Sequence, residues 1–136
     1  MTACGFSYFR GIAMGMDRTI QFSSALPPTW EVIQTRLRQL GETPVLRMID
    51  GLPAFPNEMP AEGWNELRVG LTAGMVTLRR TPDGLSCVVW GNADPALRAA
   101  WDKVCWACAA GGGVIVTTSG AQTPEQFASA TGIQPS

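Results

Sequence analysis

Apolar positions recur with two different periods along this chain, and the clearest succession of them lies between residues 66 and 113. Leu67, Val69 and Leu71 alternate with Arg68 and Gly70, so one face of a strand is apolar. Residues 75–80 and 85–90 are two further strand-like runs, and Thr81-Pro82-Asp83-Gly84 stands between them. Proline presets the first turn angle, aspartate bonds back to the backbone, and glycine takes the angle that closes the loop. The two runs therefore form a hairpin. Thr72-Ala73-Gly74 makes a second turn and completes a three-stranded meander. The alternative is one long strand bent at Gly74.

After residue 90 the period changes to that of a helix. Asp94 is a good cap and Pro95 suits the first helical position, so a helix is expected to run to about Ala110 and stop at Gly111-Gly112-Gly113. Leu97, Trp101, Val104, Cys105 and Cys108 share its core side. Trp106 lands nearly opposite, among Ala99, Ala109 and Ala110. A ring that large on the far side needs a second surface: another element, a partner subunit or a ligand.

Upstream, Ile20 and Phe22 alternate with polar residues in a short strand, and Pro27-Pro28 leads into a helix capped by Thr29 and closed by Gly41. Its buried stripe is Trp30, Ile33, Leu37 and Leu40. Residues 44–50 form the next strand, ended by Gly51. This strand–helix–strand spacing predicts one right-handed crossover between parallel strands. Residues 52–64, with Pro53, Pro56, Pro60 and Gly63, suit neither helix nor sheet and read as a long surface loop. Downstream, residues 114–118 read as an interior strand. Thr123-Pro124-Glu125-Gln126 then opens a short helix with a capping box, ended by Gly132. The predicted fold is α+β: a mostly antiparallel or mixed sheet of about six strands, with two longer helices and one short C-terminal helix largely on one face.

Residues 16–136 are expected to be a single domain. Residues 1–15 have two readings: a start-site extension ahead of Met14 or Met16, or an arm that docks through Phe6, Tyr8, Phe9 and Ile12. With 136 residues, 46% hydrophobic and 15% charged, the chain has enough apolar content for a core without staples. Ten basic and eleven acidic residues, scattered along it, remove the electrostatic case for nucleic-acid binding. No apolar run is long enough to span a bilayer, so no membrane partner is expected. Histidine is absent, which excludes Ser-His-Asp and Cys-His catalysis and histidine-based metal sites.

Several groups remain as candidates. Cys105-Trp106-Ala107-Cys108 matches C-x-x-C, but it lies deep in a helix and not at the N-terminus, where the dipole would activate a thiol. Packing is the expected role, with no metal and no cofactor. Without a secretory signal, the four cysteines suit a reduced, cytoplasmic setting. Glu58, Glu62 and Glu66 flank the proline-rich loop with Trp64 among them, a pattern that carboxylate chemistry or sugar binding would use. Thr117, Thr118 and Ser119 precede a helix N-terminus and offer an anion site. Taken together, the chain reads as a small non-catalytic interaction or binding protein, self-associating through Trp106 or the N-terminal arm. The alternative is a small enzyme or ligand binder that uses the 58–66 carboxylates or the 117–123 turn. No catalytic residue is assigned in the first reading.

Overall fold

The computed structural model describes residues 16–23, 26–55, 57–90 and 93–134. The expectations for residues 1–15 lie outside these. The elements are β1 (Met16–Gln21), α1 (Trp30–Gln39), β2 (Val45–Ile49), β3 (Leu52–Pro53), β4 (Glu66–Leu71), β5 (Gly74–Thr81), β6 (Gly84–Val89), α2 (Pro95–Ala109), β7 (Val114–Thr117), β8 (Gly120–Gln122) and α3 (Pro124–Thr131). The fold is α+β. One eight-stranded sheet runs in the order β3-β2-β4-β5-β6-β1-β7-β8, and every neighbouring pair is antiparallel.

The meander forms as its turn residues dictate. Leu71 pairs with Gly74 and Thr81 with Gly84, so two-residue turns join β4 to β5 and β5 to β6. Gly74 therefore turns the chain; it does not bend one strand. At Gly84 the need for glycine comes from β1: a Cβ there would lie 2.0 Å from the Ile20 carbonyl oxygen. The Phe22 N–H also donates to the Asp83 carbonyl at 2.9 Å, which seats β1 on the hairpin.

β1 and β2 run in the same direction, as the strand–helix–strand spacing predicts, but they are not neighbours: β6, β5 and β4 lie between them. The meander strands pair locally with each other, so only its two outer edges are open. β1 takes the β6 edge, β2 takes the β4 edge, and each pairing is antiparallel. The four strand-to-strand steps amount to about 19 Å, a distance that a ten-residue helix of about 15 Å and its flanking loops bridge. Two short strands were also not anticipated. β3 pairs with the end of β2, and β8 pairs with β7.

Residues directly opposite in neighbouring strands share a face, and one face holds Leu67, Leu78 and Cys87 in a row, with Leu85, Ile20 and Ile115 in another. All are fully buried. α2 lies over β5, β6, β1 and β7, with α1 and α3 against it. The Trp101 Nε1–H donates to the Cys87 carbonyl at 3.1 Å and ties α2 to the sheet. Arg18 comes up from this same face. It pairs with Asp102 of α2 and stacks 3.8 Å from the centroid of Trp101.

Candidate functional site

A cleft of about 470 Å³ lies between residues 26–31, at the start of α1, and residues 59–64 of the long loop. This volume falls in the range of small-ligand sites. Its walls are Leu26, Pro27, Pro28, Met59, Pro60 and Ala61, with Trp30, Trp64 and Arg80 beneath and Thr29, Glu31 and Glu62 supplying polar groups.

Local chemistry holds the loop in place. Ile49 and Leu52 pair across Asp50 and Gly51, whose φ values of 50° and 85° belong to the tight hairpin turn that Asp-Gly favours. The Asp50 carboxylate then accepts from the backbone N–H groups of Asn65 at 2.7 Å and Glu66 at 2.8 Å, while its own N–H donates to the Glu66 carbonyl at 2.8 Å. One side chain thus closes both ends of residues 51–65. Within the loop, Glu58 accepts from the Phe55 N–H and Trp64 donates its N–H to the Ala61 carbonyl.

The floor is rigid. Trp30 and Trp64 are 3% and 2% exposed. Arg80 of β5 lies 4.5 Å from the Trp64 ring centroid, and its Nε donates to the Trp64 carbonyl at 2.8 Å. Thr29 caps α1 through the Val32 N–H, which fixes the opposite wall. Above this floor the rim is apolar and exposed. Leu26 and Met59, which line the cleft, are both more than half exposed, and exposed apolar groups gathered on one surface mark a contact site.

The structure separates the other candidates. Glu62 and Trp64 line the cleft. Glu58 is absorbed in its own turn, and Glu66 pairs with Arg79 at 2.8 Å. Thr117, Thr118 and Ser119 do not lead directly into α3: β8 intervenes, and the segment is a hairpin turn. The Thr117 hydroxyl donates to the Gly120 carbonyl and accepts from the Ser119 N–H. The three-residue β8 thus separates this turn along the chain from the helix N-terminus on which the anion site depended. Trp106 is partly buried and packs against the core, so part of the second surface that the periodicity required lies within this chain. Trp30 and Arg80 were missed as site residues, because a buried helical stripe and a strand cation carry no signal of a cleft. The flanking Pro27-Pro28 was a usable hint.

No family model, curated protein or solved structure matches this chain. Function has to be read from the chemistry of the cleft. Thr29 is its one lining hydroxyl, already used as a helix cap, and no thiol lines it. Cys87, Cys105 and Cys108 sit together beneath α2, fully buried. Burial, with the neighbouring Cys87 thiol, pushes Cys105 well above the ordinary thiol range. At Cys87 the bond from Cys105 favours the thiolate, but Cys108 and burial outweigh it, and that thiol is also pushed well up. Among the described residues no group of three or more Cys, Asp or Glu is placed to hold a metal ion. No helix of the structure is long and apolar enough to cross a membrane.

Proposed function

We propose that the protein is a non-catalytic binding module whose recognition surface is the cleft between residues 26–31 and 59–64. The observation that carries this reading is the combination of a fixed aromatic floor with an exposed apolar rim at one end of the sheet. Binding sites join a dry, well-packed centre to a few placed polar groups, and Glu31, Glu62 and Arg80 are such groups here. Self-association through Trp106 has less in its favour, since that ring already packs within the chain.

The test is a fragment screen on the full chain read by amide and indole chemical shifts. Binders should perturb residues 26–31 and 59–64 and the Trp30 and Trp64 indoles. Ala61→Trp, a change at an exposed lining residue, should fill the cleft and abolish those shifts at unchanged melting temperature. Perturbations confined to the surface around Trp106, or binding that survives Ala61→Trp, would contradict the assignment.

A further inference from the structure

Each wall of the cleft lies within a longer stretch of chain that carries carboxylates and no basic residue. Residues 19–35 and 48–67 contain Glu31, Asp50, Glu58, Glu62 and Glu66 and not one lysine or arginine. Three of these carboxylates have internal work: Asp50 holds the Asn65 and Glu66 amides, Glu58 the Phe55 amide, and Glu66 the Arg79 guanidinium. Glu31 and Glu62 are exposed, line the cleft, and are in no ion pair with a described residue. The first turn of α1 gives Glu31 a local reason to be there. Glu62 has none. Arg80 is the one cation in the lining, and it is drawn down onto the Trp64 ring and carbonyl.

We infer that the occupant of the cleft is a basic, partly apolar segment of a partner protein, which places a lysine or arginine between Glu31 and Glu62 and flanking apolar side chains against Leu26 and Met59. This rests on the cleft being the recognition surface and adds the chemical class of its partner. An apolar stem with a cationic head suits the site because the stem is desolvated on the rim while the head meets two carboxylates. Both walls offer apolar groups beside the carboxylates, Leu26 and Pro27 on one and Met59 and Pro60 on the other, which flanking side chains of a chain segment would cover and a small amine would not.

The experiment pans a displayed library of random dodecapeptides against the full-length chain and maps synthetic copies of the enriched sequences by amide shifts. Enriched peptides should carry a Lys or Arg beside a bulky apolar residue and perturb residues 26–31 and 59–64. The double variant Glu31→Gln, Glu62→Gln should weaken them about 10-fold, and so should a rise in salt from about 0.05 M to about 0.5 M. Peptides that map to the cleft but lack a basic residue, or bind the double variant equally well, would overturn the inference while leaving the cleft as the binding surface. Enriched peptides that all map elsewhere would overturn both.

Discussion

Asp50 shows how much one side chain can organise. Its carboxylate holds the two amides that follow the long loop, and its φ of 50° is one that aspartate and asparagine tolerate better than most residues. Asp50→Ala should therefore cost about 2–3 kcal/mol, from two lost charge-assisted bonds and the backbone angle together. Asp50→Asn retains an acceptor oxygen and should cost less than about 1 kcal/mol. Denaturant midpoints of the two variants, with amide exchange at Asn65 and Glu66, check this; equal losses would mean that charge alone matters. Trp106 gives a second expectation. Because it packs on the core but is not wholly enclosed, Trp106→Ala should cost about 2–3 kcal/mol, somewhat under the figure for a fully buried ring. Solution mass should not change. A fall in mass with unchanged stability would restore Trp106 as an interface.

The buried thiols make a pH prediction at the same scale. Cys87 and Cys105 have folded pKa values raised well above the ordinary thiol range. In the unfolded chain these thiols lose their protons above about pH 8.5, while in the folded chain they hold them. The unfolded state then binds fewer protons, so stability is complete below about pH 8.5 and falls by up to about 1.4 kcal/mol per pH unit per thiol above it. Urea melts between neutral and alkaline pH should show this decline, and Cys87→Ala should make it shallower. A flat profile would contradict the burial assigned to them.

At the level of elements, what could be read from the chain was what is local. Pro82-Asp83 turn where their backbone preferences require, the chain also turns at Thr72-Ala73 ahead of Gly74, and Thr29, Asp94 and Thr123 each accept the capping bond expected of them. α2 stops where the three glycines begin. β3 was missed although Asp50-Gly51 is a strong hairpin signal, because Pro53 argued against any strand beyond it. In fact Pro53 sits on an edge strand, where a missing N–H costs no ladder bond. β8 has only three residues, too few for an alternating pattern to show. The phase of Trp106 on α2 required a second surface without saying what would supply it. Periodicity identifies the face turned to the sheet, but α1 and α3 cover much of the rest of α2, as the burial of Ala107 and Ala109 shows.

The arrangement of the whole molecule depends on a choice that no local pattern records. β1 joins the far edge of a meander that begins 45 residues after it ends, and α1 carries the chain back across the sheet to β2. That traverse brings Trp30 and Pro27-Pro28 against a loop more than 20 residues later in the chain. The cleft is a product of this long-range pairing, so it was legible only as two separate hints: an aromatic ring in a carboxylate-bearing loop, and a proline pair ahead of a helix.

Position-resolved photocrosslinking in cells that express the protein tests the assignment of the cleft most directly. A photoreactive side chain is placed at Met59, at Trp106 or at Met75, which is exposed on the sheet. The cleft account predicts a discrete adduct from position 59 that disappears when Ala61→Trp is added, and none from positions 106 and 75. An adduct from position 106 or 75 with none from position 59 would contradict it.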